Sequence, residues 1–139
     1  LAFEYLATGS IFSIIALMHS EQSLAGASSY PMAVYYNKKH ALCGANYICN
    51  SIKLINNKRN NIFAELLKNL FEKKLIPKNN VNSLIKKLDF FKKFFKIEKI
   101  TFDQNEKKFL LNKISNMKML DLSSIKFNNK DIKNFLNNE

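Results

Sequence analysis

The sequence predicts an all-α fold, a multi-helix bundle built as a single helical domain over residues 1–139. Apolar residues recur at the three-to-four spacing of amphipathic helices through most of the second half. No stretch keeps the apolar–polar alternation of a strand for more than a few residues. With 139 residues, 47% of them hydrophobic, the chain is long enough to bury a core.

Two predicted helices are apolar on more than one face, and we expect both in the middle of the bundle. The first is Leu1–Ser20, and the other begins near Lys39 or His40 and ends near Asn56. The first approaches the length of a membrane span. It also contains Glu4 and several hydroxyl groups, which favours a buried core helix over a membrane helix.

The remaining predicted helices are amphipathic, with lysines mostly off the apolar stripe. They are Asn61–Leu75, Asn80–Phe95, about Gln104–Met117 and about Asn129–Asn137. Pro77 ends the first of them, and Thr101 or Asp103 is expected to cap the third. The segments Ile97–Phe102 and Leu120–Phe127 are predicted loops.

Residues 23–49 form the unusual part of the chain, because small residues, both cysteines and His40 cluster there. Small side chains let a second backbone or a ligand come close. Pro31 is expected to prevent a regular helix through Ser29–Pro31, since proline lacks an N–H and clashes with the preceding turn.

The net charge of +11 lies entirely in residues 51–139, and its carriers are lysines apart from Arg59. This pattern favours solvated helix faces over nucleic-acid binding, for which arginine is the better phosphate ligand.

The spacing of Cys43 and Cys49 fits neither a redox motif nor a disulfide framework, so we expect reduced, buried thiols and a cytoplasmic protein. No basic segment precedes the apolar start, so no signal peptide is predicted. The apolar pattern is already under way at Leu1, so we expect the chain to be the C-terminal part of a longer two-domain protein.

One motif resembles a known family. It runs Ser28-Ser29-Tyr30-Pro31, Tyr35-Tyr36-Asn37, Lys39-His40-Ala41 and then Ala45. It resembles the C-terminal helical domain of iron-dependent alcohol dehydrogenases, which share their fold with dehydroquinate synthase. The Ser-Tyr-Pro block is similar to that of the phosphonoacetaldehyde-reductase type, and this similarity implies a role in phosphonate metabolism. The closing segment 127–132 also resembles the family's last helix start, so the likeness extends from about Leu1 to Asn137.

The resemblance implies hydride transfer between NAD(P) and a small aldehyde or alcohol, with Fe²⁺ or Zn²⁺ bound by one Asp and three His. His40 matches one of these ligands, and Gly26 occupies the position of another. The Asp and the remaining His would precede Leu1, so this chain supplies at most one ligand. His19 is no substitute, because it lies about 10 Å from Gly26 along a continuous helix. Ser28, Ser29 and Tyr30 would line the substrate pocket beside Gly26.

No Gly-rich phosphate loop is present in the sequence, because Gly9, Gly26 and Gly44 are isolated. The resemblance therefore implies an upstream nucleotide-binding domain as a partner, and homo-oligomers are compatible with it. The lost ligand at Gly26 leaves open that this chain binds no metal. Three alternatives also remain open: a catalytically degenerate interaction domain, a basic helical binding module, and a dehydroquinate synthase-like cyclase domain.

Overall fold

The computed structural model describes residues 2–18, 24–121 and 124–137, and within these ranges it contains helices and no strand. In chain order the helices are α1 (Ala2–Met18), α2 (Leu24–Tyr36), α3 (His40–Lys58), α4 (Ala64–Glu72), α5 (Val81–Phe94), α6 (Gln104–Ser115), α7 (Lys118–Asp121) and α8 (Asn129–Asn137). The all-α fold class predicted from the sequence is confirmed.

The core is built around α2 and α3, which are joined by the short segment 37–39 and pack against each other. Asn37 turns the chain there with a φ of 49°, a left-handed conformation that asparagine tolerates well. Side chains from α6, α7, α8 and the segment 100–102 complete the core. Its buried members are Leu24, Ala25, Ala27, Met32, Cys43, Tyr47, Ile100, Phe102, Leu110, Ile114, Leu120, Ile132, Phe135 and Leu136.

Local hydrogen bonds explain where several helices begin. The Asn80 side chain accepts a hydrogen bond from the Ser83 N–H, which starts α5 at Val81. Asp103 and Glu106 form a reciprocal capping box at the start of α6, so Asp103 rather than Thr101 is the cap. Lys118–Asp121 adds a short helix that the sequence pattern did not indicate.

The predicted burial of the first helix is wrong. α1 forms where expected, but Phe3 is 82% exposed and Leu6 is 71% exposed. Phe3 and Tyr5 lie about 160° apart around a helix axis and both are largely exposed, so opposite sides of α1 are open. Apolar side chains that point in all directions give α1 no single face to set against the bundle.

The predicted break at Pro31 is also wrong, because α2 continues as a helix on both sides of this residue. Proline fixes φ at a helical value and removes only one backbone donor. The Ser28 hydroxyl donates to the Leu24 carbonyl at 2.6 Å, and the Ser29 hydroxyl donates to the Gly26 carbonyl at 2.6 Å. The burial of most of α2 stabilises the helix despite the lost hydrogen bond, and hydroxyl bonds of this kind accompany bends in helices.

Asn46 fastens the loop that follows α5 to the middle of α3. Its side-chain amide N–H group donates to the carbonyls of Leu42 and Glu98, both at 2.9 Å, and its oxygen accepts the N–H of Ile100 at 3.1 Å. The loop partners lie 52 and 54 residues from Asn46 in sequence. This clamp fixes the predicted loop 97–102 against the core.

Candidate functional site

The packing of α2 against α3 places the predicted site residues Ser29 and His40 in contact. His40 is the first residue of α3, and Ser29 lies in the middle of α2, eleven positions earlier. The Ser29 hydroxyl oxygen lies 3.0 Å from Nδ1 of His40 and 3.3 Å from Nε2. Residues that the sequence motif grouped by resemblance are therefore neighbours in space.

Ser29 links the imidazole to the backbone at Gly26. A hydroxyl carries a single proton, and Ser29 donates it to the Gly26 carbonyl at 2.6 Å. The Ser29 oxygen also lies within 3.3 Å of both ring nitrogens of His40, which places it over the imidazole ring and not in line with a ring N–H. Gly26 and His40, the two positions that the resemblance assigns to metal ligation, thus both contact the Ser29 hydroxyl.

Tyr30 adds an aromatic wall to this group. Its ring centroid lies 4.5 Å from that of His40, with the two planes inclined by 50°. Both side chains are exposed, with Tyr30 at 46%, whereas Ser29 is only 1% exposed. The site is therefore an accessible ring pair backed by a buried hydroxyl, an arrangement that can hydrogen-bond a small polar molecule from solvent.

Ser28, the fourth predicted pocket residue, is fully buried. Its hydroxyl donates within α2 to the Leu24 carbonyl, so its one proton is directed towards the helix backbone. The observed role of Ser28 is to bond the turn of α2 that precedes Pro31.

An aromatic cluster follows the site at the end of α2. Tyr35 contacts the Phe109 ring edge-on at 5.0 Å, and the Lys113 ammonium lies 5.0 Å from the Tyr35 centroid. Burial, and then the nearby carboxylates of Glu106 and Asp103, raise the pKa of the Tyr36 phenol. Tyr36 is therefore a neutral hydrogen-bonding group at ordinary pH. The sequence pattern did not indicate that α6 would place Phe109 against Tyr35.

The two cysteines are free and buried, as predicted. Burial raises the pKa of both thiols, and the charges of Lys38 near Cys43 and Lys92 near Cys49 only partly oppose this effect. A thiol with a raised pKa remains protonated at neutral pH and is a poor nucleophile or metal ligand. Cys43 and Cys49 are therefore core residues and not catalytic groups.

The residues at this site do not complete a metal centre. Within residues 2–18, 24–121 and 124–137, no group of three or more His, Cys, Asp or Glu side chains is arranged to hold a metal ion. His40 is the one imidazole at the site, and its ring nitrogens face the Ser29 hydroxyl. A catalytic Fe²⁺ or Zn²⁺ needs about three protein ligands. His19 lies outside the described residues.

None of the helices in the described part of the chain is long and apolar enough to cross a membrane. In comparisons with known proteins, no family model, no curated protein and no solved structure matches this chain.

Proposed function

We propose that this chain is the helical substrate- and metal-site domain of an iron-type, NAD(P)-dependent alcohol dehydrogenase or aldehyde reductase, with one metal ligand lost at Gly26. The observation that supports the proposal is that the Ser29 hydroxyl contacts both the Gly26 carbonyl and the His40 ring. These two positions lie fourteen residues apart in sequence, the separation of two metal ligands in the family that the chain resembles.

The role proposed for this domain is to bind and orient a small aldehyde or alcohol. His40 and Tyr30 are exposed and can hydrogen-bond its oxygen, while the Ser29 hydroxyl holds the imidazole in place. The nicotinamide cofactor belongs to the proposed upstream nucleotide-binding domain. Because this chain supplies only one of four expected ligands, we assign no metal-dependent step to its residues.

Restoring the lost ligand tests this proposal. The variant Gly26→His introduces a second imidazole at the position that the resemblance assigns to a metal ligand. Since even outer-shell partners of a metal change its affinity about 10–100-fold, we expect Co²⁺ to bind at least about tenfold more tightly than to the wild-type chain. Affinity is measured by calorimetry, and the visible absorption of Co²⁺ reports the number of nitrogen ligands.

Gly9→His is the matched control, because it adds the same imidazole on α1, at a position where a new Cβ meets no atom within 4 Å. Adding His40→Asn to Gly26→His should remove the gain in Co²⁺ affinity. Gly26→Cys and Gly9→Cys repeat the comparison with a smaller ligand if histidine disturbs α2. Equal Co²⁺ affinity in the Gly26 and Gly9 variants would contradict the proposal.

A further inference from the structure

A cleft of about 530 Å³ lies between α3 and the end of α5, and its walls are strongly basic. Five lysines line it: Lys53 from α3, Lys92 and Lys93 from α5, and Lys96 and Lys99 from the following loop. The carboxylate among the lining residues is that of Asp89. The α3 residues that line the cleft lie about 9–20 Å along the helix from His40, and neither His40 nor Ser29 is among the lining residues, so the cleft is separate from the site above.

The charge of Asp89 is already matched within the cleft. The Lys92 ammonium lies 2.8 Å from Oδ1 of Asp89, and the Cys49 thiol donates to the same oxygen at 3.5 Å. Burial alone raises the pKa of the Asp89 carboxyl, but the hydrogen bond and charge of Lys92 outweigh it and hold that pKa below its usual value. Asp89 is therefore ionised, and it offsets one of the five lysine charges, mainly that of Lys92 and partly that of Lys53, so the lining keeps a net charge of +4.

The other four lysines of the cleft form no ion pair with a carboxylate in the described part of the chain. Within the described residues, no carboxylate oxygen lies within 4 Å of the ammonium groups of Lys53, Lys93, Lys96 or Lys99. Like charges held around one concave surface repel one another and raise the local positive potential. A bound anion removes this repulsion and forms charge-assisted hydrogen bonds to the ammonium groups.

Hydrogen bonds hold the backbone around the cleft in place before any ligand binds. Asn46 bonds the backbone of Glu98 and Ile100, the residues on either side of Lys99. At the end of α5, the N–H of Ile97 donates to the Lys92 carbonyl at 2.9 Å, which turns the chain back around Lys96. Because the backbone that carries Lys96 and Lys99 is already held in place, only the exposed lysine side chains have to be ordered on binding.

We infer that this cleft binds a small soluble anion that carries two or more phosphate groups. Its volume falls in the range of small-ligand sites, roughly 300–1,000 Å³. Lysine binds phosphate as a compact charge with three donors, and a net charge of +4 in the lining matches the charge of a di- or triphosphate better than that of a single phosphate. The sequence pattern had indicated only a solvated lysine face on α5.

Calorimetric titration of the whole chain with inorganic tripolyphosphate tests this inference. The triple variant Lys53→Gln, Lys96→Gln, Lys99→Gln should weaken binding at least about tenfold, because it removes three charged contacts. The control Lys73→Gln, Lys78→Gln, Lys86→Gln makes the same change in net charge at exposed lysines away from the cleft, and should change affinity less than about twofold. Replacing the three cleft lysines with arginine should retain binding.

Equal weakening by the cleft and control variants would overturn the inference, because it would show attraction by net charge alone. Absence of tripolyphosphate binding at 150 mM salt would overturn it as well. A second titration separates a soluble ligand from a lipid headgroup, using phosphatidylcholine vesicles with and without phosphatidylinositol bisphosphate. Binding to the phosphoinositide vesicles without binding of tripolyphosphate would contradict a soluble ligand. Circular dichroism of every variant verifies that the helices are retained.

Discussion

α1 and α2 are similar in sequence character and opposite in burial. Both are apolar, α2 has no charged residue, and α1 has only Glu4. Yet Leu6 of α1 is 71% exposed and Leu24 of α2 is 0% exposed. The comparison teaches that apolar content alone does not determine which helix enters a core.

The difference lies in side-chain size and in what each helix can approach. α2 carries small residues such as Ala25, Ala27 and Ser28, which are all buried, so α3 and α6 can come close to its backbone. In α1, large side chains such as Phe3 and Phe12 are exposed. Small residues on one helix therefore matter as much for close packing as large ones.

The largest expected effect comes from removing the same side chain in each helix. Leu24→Ala empties a fully buried position, and we expect it to lower the free energy of unfolding by about 2–5 kcal/mol. Leu6→Ala removes an exposed side chain and should change that free energy by less than about 0.5 kcal/mol. Urea denaturation of the two variants at equal protein concentration measures both values.

A comparable loss in the two leucine variants would contradict the comparison, because it would mean that α1 is covered in solution. Repeating the denaturation of the wild-type chain at higher protein concentration then identifies the source. If a second copy covers α1, the free energy of unfolding of the wild-type chain rises with concentration.

A smaller effect is expected from two serines that make the same local bond. Ser28 donates to the carbonyl four residues earlier at 2.6 Å, and Ser10 does so at 2.9 Å. Ser28→Ala removes a buried hydrogen bond, so we expect a loss of about 1 kcal/mol in the free energy of unfolding. At Ser10 water replaces the bond and alanine is the better helix former, so Ser10→Ala should be neutral or stabilise α1 by a few tenths of a kcal/mol, roughly. Opposite signs in urea denaturation confirm this prediction, and equal losses would contradict it.

What the sequence could predict follows from the range of each interaction. The cap at Asp103 and the helix α8 depend on a few neighbouring residues, and both were predicted correctly. The exposure of α1 and the continuous helix through Pro31 depend on packing, which local patterns do not encode. At the site, the resemblance placed His40 beside Gly26, but the intervening Ser29 bond required coordinates.

The basic cleft shows the same limit over a longer distance. Lys53 and Lys99 are far apart in sequence, and both line it because Asn46 holds the loop after α5 against α3. Read along the chain, these lysines belong to ordinary solvated faces. They line one concave surface because the hydrogen bonds of Asn46 hold the loop after α5 against α3.

The smallest expected effect uses the two glycines at which a new Cβ meets no atom within 4 Å, Gly9 in α1 and Gly44 in α3. Alanine is the better helix former at both positions, by about 0.5–1 kcal/mol. Because α3 belongs to the core, Gly44→Ala should raise the free energy of global unfolding by that amount. α1 is exposed and should open locally before the core does. Gly9→Ala should therefore slow amide hydrogen exchange in α1 and leave the urea midpoint almost unchanged. An equal rise in the urea midpoint for both variants would mean that α1 unfolds together with the core, and the contrast between α1 and α2 would then be one of surface exposure and not of cooperativity.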